Sequence, residues 1–436
     1  MPRAFTTFVF LILATTASLQ NTYFPPLSGD EWESISPESL YWCEEEIEQL
    51  LDFLDETHTK SFILLKDGRI VFEHYFDTFT QDSLWYWASA GKTINAFLIG
   101  LVQQDQLLSI DDAVSDYLGP GWTSCTPEQE ALITIRHQLS MSSGLDDGVP
   151  DPFCTHDTCL VYLADAGSRW AYHNGPYTLI GQVLESATSL SLNQLVNQRL
   201  RNPTGITGFF LQIGYNRIYL SNSRSMARFG LLIQNEGNWD GNQIMTDQVY
   251  FDQMINTSQE MNLSYGYLWW LNGKSSFMLP QTQIVFDGPL MPDAPDNLHA
   301  ALGANGQLIN VVPDEGLVLI RMGNEPTEGE IGAVYNNEIW KRLNKVICSP
   351  ASLPSLSGVA GKIFPNPAKG ITTISFPGMN FHFKVYDGQG KLVLEKFNCF
   401  DHHIISNLNF VPGLYLVHIT LSDGNAGVFK LIMQDN

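Results

Sequence analysis

A segment rich in proline, serine and glycine divides the sequence into two parts of different character. Residues 349–361, SPASLPSLSGVAG, have the composition of an interdomain linker. The part before this segment mixes helical and strand patterns, whereas the part after it contains short apolar runs separated by turn signals such as Asp387-Gly388. Regularly spaced short strands are typical of a small β-sandwich. The sequence therefore predicts an α+β domain at 38–347, a linker at 348–361 and an all-β sandwich at 362–436.

Hydrophobic periodicity predicts the main elements of the larger part. Residues 61–76 contain two apolar runs around Asp67-Gly68, which is a strong hairpin signal. Apolar residues at helical spacing predict helices at 38–58 and 89–105, and a last helix at about 328–346. The runs GQLINVVP and LVLIRMG predict two further strands.

The N-terminus has the pattern of a secretory signal peptide. In MPRAFTTFVFLILATTAS, Arg3 precedes an apolar run that is followed by small residues. The run is too short to span a bilayer, and no later segment reaches the roughly 18 apolar residues that a span requires. We therefore expect residues 1–18 to be removed, after Ala17 or Ser18, and the mature protein to contain no membrane span.

The charge of the chain argues against two classes of partner. It carries 46 acidic and 23 basic residues, a net charge of −23. Nucleic acids attract clusters of lysine and arginine through their phosphates, and anionic membrane surfaces attract the same residues. Neither is an expected partner, and an acidic surface also suits a soluble exported protein.

The six cysteines are expected to form disulfides, because an exported protein meets an oxidising environment. Six cysteines allow fifteen pairings. We favour Cys154 with Cys159, which would close the loop CTHDTC, and Cys43 with Cys348, which flank an early and a late helix. The alternative for the loop is a metal site, whose candidate ligands are Cys154, His156, Asp157 and Cys159.

Ser89 and Lys92 form the single Ser-x-x-Lys of the chain, in WYWASAGKTINA. At positions i and i+3 of a helix the two side chains share a face. The positive end of the helix dipole and burial beneath aromatic rings both disfavour an ammonium, and a neutral amine can take the proton of a serine hydroxyl. The N–H of Ser89 is also free to donate to an oxyanion. The alternative is a capping serine followed by a solvated lysine.

A second candidate pair is Tyr172 and Asn174, in WAYHNGPY. On an extended loop, a phenol and an amide two residues apart can point into one cleft. Tyr172 could then pass a proton to a leaving group, and Asn174 could bind a substrate carbonyl and hold Lys92 in place. The alternative is a buried tyrosine in a turn, since Tyr335-Asn336-Asn337 repeats the pattern on the last predicted helix.

Ser-x-x-Lys followed some 80 residues later by Tyr-x-Asn resembles the penicillin-recognising serine hydrolases, in particular their class C β-lactamase-like branch. LLKDGRIVFEHYF, LLSIDDAVSDYLG and ITIRHQLSMSSGLDDG are similar to further segments of that family. The resemblance implies an antiparallel sheet flanked by helices, plus a helical subdomain. It also implies acyl transfer without a metal or organic cofactor, with Ser89 as nucleophile and Lys92 and Tyr172 as general bases and acids.

The third motif of this family departs from its usual form. Relatives carry Lys-Thr-Gly or His-Thr-Gly, whereas the matching triplet in HAALGANGQLINVVP is Ala301-Leu302-Gly303. The resemblance implies that Gly303 lets the backbone approach the substrate and that the N–H of Ala304 is the second oxyanion donor. Ala301 cannot pair with a substrate carboxylate. His299 and Asn305 are possible substrate contacts and otherwise structural residues.

The C-terminal part resembles the sorting domain of type IX secretion in Gram-negative bacteria. The similar segments are IFPNPAKGITTISF, FKVYDGQGKLVLE and LNFVPGLYLVHITLSDGNAGVFKLI. The resemblance implies contact with the type IX machinery and a location outside the cell or on its surface. The alternative is an accessory β-sandwich that binds carbohydrate or another surface.

The leading hypothesis for function is a secreted serine hydrolase that cleaves a small-molecule or peptide ester or amide. A β-lactamase or D,D-peptidase is an alternative, although Ala301 argues against it. A catalytically inactive surface-binding protein is a second alternative, against which the intact Ser89, Lys92 and Tyr172 argue. The aromatics Trp85, Tyr86 and Trp87 either line an apolar substrate pocket or belong to the core.

Overall fold

A computed structural model describes residues 22–327, 332–348, 361–387, 391–406, 410–422 and 426–434. The chain divides into two compact units between Ile347 and Cys348. The predicted signal peptide at 1–18 and most of the predicted linker lie outside the described residues. None of the helices in the described ranges is long and apolar enough to cross a membrane.

The first unit combines twelve α-helices and thirteen strands within these described ranges. The helices are α1 (Ile47–Glu56), α2 (Lys92–Gln104), α3 (Ser115–Leu118), α4 (Pro127–Glu130), α5 (Ile135–Leu139), α6 (Asn174–Thr178), α7 (Ile180–Thr188), α8 (Leu192–Val196), α9 (Asn202–Thr204), α10 (Ser223–Gln234), α11 (Gln248–Met254) and α12 (Gly332–Ile347). The strands are β1 (Thr59–Lys66), β2 (Arg69–Tyr75), β3 (Trp85–Tyr86), β4 (Phe209–Ile213), β5 (Asn216–Ser221), β6 (Asn238–Trp239), β7 (Asn242–Gln243), β8 (Trp270–Leu271), β9 (Ser276–Met278), β10 (Val285–Asp287), β11 (His299–Gly303), β12 (Gln307–Val312) and β13 (Leu317–Gly323).

A six-stranded antiparallel sheet in the order β2-β1-β13-β12-β11-β8 forms the centre of this unit. Every residue of β12 and β13 is buried, so both faces of these strands are covered. Helix α10 packs so closely on the sheet that a Cβ at Gly230 would lie 2.4 Å from Cγ1 of Val318. Helices α1 and α12 pack on each other and on the sheet. The predicted α+β fold of an antiparallel sheet with flanking helices is confirmed.

The hairpin predicted around Asp67-Gly68 is also confirmed. Strands β1 and β2 pair in antiparallel fashion, and both turn residues have positive φ angles, 49° at Asp67 and 80° at Gly68. Two residues with positive φ form the turn whose twist matches that of the flanking strands.

Two predicted helices begin later than expected. In place of one helix at 38–58 there are 3-10 turns at Glu38–Leu40 and Glu44–Glu46, followed by α1. Tyr41 has a φ of 58°, which ends the first turn because an α-helix cannot continue through a left-handed residue. The helix expected at 89–105 begins with a 3-10 turn, Ala88–Gly91, and becomes α-helical at Lys92.

The predicted disulfide between Cys154 and Cys159 is confirmed. Cys154 and Cys159 are bonded, with their Cα atoms 5.9 Å apart, so they are not available as thiolate ligands for the alternative metal site. Cys43 and Cys348 are also disulfide-bonded, and the N–H of Cys43 donates to the carbonyl of Val346 at 2.8 Å. Cys125 and Cys399 are free thiols.

The second unit is all-β, as predicted. Its strands are β14 (Lys362–Phe364), β15 (Ile371–Tyr386), β16 (Leu392–Ser406), β17 (Gly413–Leu421) and β18 (Ala426–Met433). They pair as one sheet, in which the long strand β15 contacts β14, β16 and β17. A bulge after Phe376 bends β15, so the sheet curls around a separate core that includes Phe376, Phe383 and Val417.

Candidate active site

Ser89 lies in a tight turn between β3 and α2. The preceding residue, Ala88, has a φ of 47°, a left-handed conformation that costs a non-glycine residue about 1–2 kcal/mol. Such strain persists where the surrounding structure imposes it, and it is frequent at functional sites. Ser89 is the second residue of the 3-10 turn, so its N–H has no acceptor within that turn and can donate to another group.

Lys92 is buried directly beneath Ser89. Lys92 is only 6% exposed, and its Nζ donates to Oγ of Ser89 at 3.0 Å. The rings of Tyr177 and Tyr172 lie 4.3 and 5.4 Å from Nζ. Burial lowers the pKa of Lys92 to about 7, because the ammonium form loses its hydration. A large fraction of Lys92 is therefore a neutral amine near neutral pH.

Tyr172 contacts the same serine from another direction. Its ring stacks on Trp270, with centroids 5.8 Å apart and planes 17° apart, and meets Tyr265 edge-on. Burial raises the pKa of Tyr172 to about 12, while a hydrogen bond with the Ser89 side chain acts in the opposite direction. The phenol is consequently protonated across the physiological pH range.

Asn174 is the first residue of α6, and its side chain lines the site. Among the described contacts it makes no hydrogen bond with Lys92, whose Nζ instead donates to Ser89. The Oδ1 atom of Asn174 is buried and has no hydrogen-bond partner in the described structure. Asn95, one turn after Lys92 on α2, donates to the hydroxyl of Tyr177 at 2.9 Å, and its own Oδ1 is likewise unpartnered there.

Strand β11 approaches the Ser89 turn through its backbone. A Cβ at Gly303 would lie only 2.4 Å from the carbonyl oxygen of Trp87, so no larger residue fits this approach. Ala304 follows as the first residue of a 3-10 turn, Ala304–Gly306, which leaves its N–H without an acceptor inside that turn. The side chain of Ala301 is 1% exposed and belongs to the core.

Two cavities meet at Ser89 and Ala304, which line both. The polar cavity has a volume of about 280 Å³ and is lined by Tyr86, Ala88, Ser89, Lys92, Asn95, Phe153, Asn174, Tyr177, Thr178, Gly181, Asn216, Arg217, Ile218 and Ala304. The apolar cavity has a volume of about 170 Å³ and is lined by Ser89, Tyr172, Trp270, Leu279, Pro280, Leu302, Gly303, Ala304, Gly332 and Ala333. The site thus offers two differently lined spaces that share Ser89.

The two possible substrate contacts lie behind this surface. His299 is 3% exposed, its ring meets Trp269 edge-on at 5.5 Å, and it lines neither cavity. Burial lowers the pKa of His299 to about 4, so the ring is neutral. Asn305 donates from Nδ2 to the hydroxyl of Tyr86 at 2.7 Å. The structure therefore places His299 in the core and gives Asn305 a supporting contact to a cavity residue.

The aromatic cluster before Ser89 divides between core and cavity. Trp87 is fully buried and donates from Nε1 to Oγ of Ser221, and Trp85 donates to the carbonyl of Gly323. Tyr86 alone of the three lines the polar cavity. Trp87 is therefore a core residue, Trp85 is partly buried and packs against the core, and Tyr86 lines the cavity.

Sequence reasoning missed two residues of the site. Tyr177 and Arg217 both line the polar cavity, and Tyr177 is the nearer of the two phenol rings to Lys92. Arg217 arrives on β5, whose residue Ser221 pairs with Trp85 just before the nucleophile turn. Ser221 and Trp85 are more than a hundred residues apart in the sequence, so no local sequence pattern predicts their pairing.

Comparison with known proteins gives two family matches. The beta-lactamase family model matches residues 48–342, and the model of the secretion system C-terminal sorting domain matches residues 362–434. A sorting domain of this kind indicates type IX secretion, and so a protein that is secreted or exposed on the cell surface.

Individual relatives are distant. An uncharacterised protein of Alkalihalophilus pseudofirmus is 23% identical over 301 residues, which cover 61% of this chain and 83% of that protein. Penicillin-binding protein 4* of Bacillus subtilis is 25% identical over 204 residues, which cover 41% of this chain and 42% of that protein. A penicillin-binding protein homologue from Caulobacter crescentus superposes with a TM-score of 0.53 at 14% identity, covering 69% of this chain and 98% of its own.

Proposed function

The chain belongs to the beta-lactamase family, and from this premise we propose that residues 38–347 form a serine hydrolase that cleaves an ester or amide through an acyl-enzyme on Ser89. One observation carries the proposal. Nζ of the buried Lys92 donates to Oγ of Ser89 at 3.0 Å, and burial lowers the pKa of this lysine to about 7. A base with a pKa near the working pH, within reach of a hydroxyl, is what activates a serine nucleophile.

Acylation uses Lys92 as the base. As Oγ of Ser89 bonds to the substrate carbonyl carbon, neutral Lys92 takes the hydroxyl proton and becomes an ammonium. The carbonyl oxygen gains negative charge. In this proposal the N–H groups of Ser89 and Ala304 donate to it, which is supported by their places near the starts of two short turns. Ser89 and Ala304 line both cavities, which is consistent with an oxyanion held at their junction.

Collapse of the tetrahedral intermediate requires a proton for the leaving group. Tyr172 contacts the Ser89 side chain and lines the apolar cavity, and its pKa of about 12 keeps it protonated. It donates its proton to the departing oxygen or nitrogen, and the proton held by Lys92 then restores the phenol. In deacylation, neutral Lys92 takes a proton from the attacking water, and the resulting ammonium returns a proton to Oγ of Ser89 as the acyl group leaves. Every step uses residues of this chain and calls for no metal or organic cofactor.

The domain arrangement extends this proposal to the whole chain. We infer a signal peptide at 1–18, a linker at 348–361 and a sorting domain at 362–436, which together would export the hydrolase across both membranes of a Gram-negative bacterium. The match of residues 362–434 to the sorting-domain model supports the last step.

The direct test is a covalent adduct on Ser89. The full chain is treated with an activated 4-nitrophenyl ester or an alkyl phosphonate, and intact-protein and peptide masses are measured. We expect one acyl or phosphonyl group on Ser89, and a fall of about 10³-fold or more in ester hydrolysis for Ser89→Ala. Ser83→Ala is the matched control, since that hydroxyl accepts a hydrogen bond from Thr80 and takes no part in the site. No adduct on folded wild-type protein would refute the proposal.

A β-lactamase or D,D-peptidase is the second candidate, because penicillin-binding proteins are among the relatives. Ala301 opposes it: this position is core, and none of the described residues that line the apolar cavity beside it is a cation. Hydrolysis of a chromogenic cephalosporin with a kcat/KM of about 10⁴ M⁻¹s⁻¹ or more, within the ordinary enzymatic range, would favour this candidate. We expect hydrolysis far below that range.

A further inference from the structure

The active-site cavities differ in charge from the rest of the chain. The protein carries 46 acidic and 23 basic residues. Yet no aspartate or glutamate is among the described residues that line the two cavities, whereas Lys92 and Arg217 line the polar one. Lys92 hydrogen-bonds to Ser89, so among the described lining residues Arg217 is the cation that can bind a substrate. A cavity whose described lining holds this cation and no carboxylate favours an anionic ligand group, even on a strongly acidic protein.

Arg217 is held in place by one ion pair, and its guanidinium has further N–H donors that can bind a ligand. Its Nη1 pairs with Oε2 of Glu185 at 2.8 Å, and its side chain is 25% exposed. The other carboxylate oxygen of Glu185 accepts from the N–H of Leu192, so Glu185 is itself fixed. The guanidinium also packs over Gly181, where a Cβ would lie 3.3 Å from Nη1. A guanidinium has five N–H donors. In the described structure, the ionic partner of Arg217 is one carboxylate oxygen of Glu185.

The position of Tyr172 assigns the two cavities to the two halves of a substrate. Tyr172, the proton donor to the leaving group, lines the apolar cavity and not the polar one. The leaving group must therefore depart into the apolar cavity, beside Trp270, Leu279 and Pro280. The acyl group then occupies the polar cavity, on the side where Arg217 lies.

We propose that Arg217 is a specificity-determining residue that binds a carboxylate at the far end of the acyl group. The preferred substrates are then monoesters or monoamides of dicarboxylic acids, with an uncharged apolar alcohol or amine as leaving group. This inference rests on the proposed acyl-enzyme mechanism and adds the substrate class. Arginine suits the role because its planar fork donates two parallel hydrogen bonds to a carboxylate.

The experiment compares two esters that differ in one charge. The probes are 1-naphthyl hydrogen glutarate and 1-naphthyl methyl glutarate, which share a leaving group and an acyl chain, and kcat/KM is measured for both with the full chain. We expect wild type to prefer the acid by about 10- to 100-fold, the range of a charge-assisted hydrogen bond, and mainly through KM. Measurements at 0.15 M salt limit repulsion between the acidic protein and the anionic probe.

Variants locate the source of the preference. In Arg217→Gln, kcat/KM for the acid should fall about 10-fold or more further than kcat/KM for the methyl ester. Arg217→Lys should retain part of the preference, because the charge remains while the fork is lost. Arg199→Gln is the matched control: Arg199 pairs with Asp105 outside both cavities, and its loss should leave the preference as in wild type. Thermal denaturation verifies that each variant is folded.

The outcomes separate this inference from the mechanism on which it rests. If the methyl ester acylates Ser89 but wild type shows no preference for the acid, or if Arg217→Gln keeps the preference, the role of Arg217 is refuted and the hydrolase proposal stands. If neither ester acylates Ser89 in folded protein, both proposals fail.

Discussion

The two sides of Ser89 are built in different ways. On one side, the side chains of Lys92 and Tyr172 contact the serine, and burial shifts the pKa of Lys92 down to about 7 and that of Tyr172 up to about 12. On the other side, β11 contributes its backbone at Gly303 and Ala304, while Ala301 is core. In the proposed mechanism, proton transfer depends on side chains, and oxyanion binding depends on how closely two backbone segments approach. Substitutions should affect the two sides in different ways.

On the backbone side, the largest effect is expected from Gly303→Val. A Cβ at this position would lie 2.4 Å from the carbonyl oxygen of Trp87, so β11 and the N–H of Ala304 must move away from Ser89. Loss of one oxyanion donor typically lowers kcat by about 10²- to 10³-fold. Steady-state kinetics on the folded variant measures this loss.

Ala304→Gly is the matched control for this substitution, because it keeps the N–H and adds no atoms. Its loss in kcat should stay below about 10-fold, since only backbone freedom changes. Equal kcat values for Gly303→Val and wild type would show that the close approach of β11 has no part in catalysis.

A loss of stability rather than of catalysis is expected from Ala301→Lys. The residue is 1% exposed, so a lysine must either bury its ammonium or displace the strand. An unpaired buried charge destabilises a protein by about 3–5 kcal/mol, and we expect the free energy of unfolding in urea to fall by this amount. Leu132→Lys, at a position that is 61% exposed, should change it by less than about 0.5 kcal/mol. A fully stable Ala301→Lys variant that hydrolyses cephalosporins would overturn the contrast between the two sides.

The difference between the two sides of Ser89 also explains which parts of the structure could be predicted from the sequence. Ser89 and Lys92 are three residues apart, and helical geometry brings such residues together whatever surrounds them. The β1–β2 hairpin and the Cys154–Cys159 disulfide were predictable for the same reason, because local patterns specify them. The antiparallel sheet with flanking helices was implied by the resemblance of several segments to a known family. The catalytic roles of Ser89, Lys92 and Tyr172 remain predictions, which the contacts around Ser89 support.

The features that could not be predicted from the sequence depend mostly on contacts between segments that are distant in the chain. Arg217 reaches the polar cavity because Ser221 of β5 pairs with Trp85 of β3. His299 does share a strand with Ala301, but packing against Trp269 makes it a core residue. The first helix was predicted too long because hydrophobic periodicity does not reveal the left-handed conformation of Tyr41, which interrupts it.

The central claim is that a buried neutral Lys92 activates Ser89, and the pH dependence of Ser89 acylation tests it most directly. Because the base must be deprotonated and its pKa is about 7, the acylation rate with a neutral ester should rise with pH and be half-maximal near pH 7. It should then stay level to about pH 9, since the pKa of Tyr172 is about 12. Tyr172→Phe should lower the plateau without moving the midpoint. A rate that is flat from pH 5 to 9, or one that rises only near the ordinary lysine pKa of 10.5, would contradict the account.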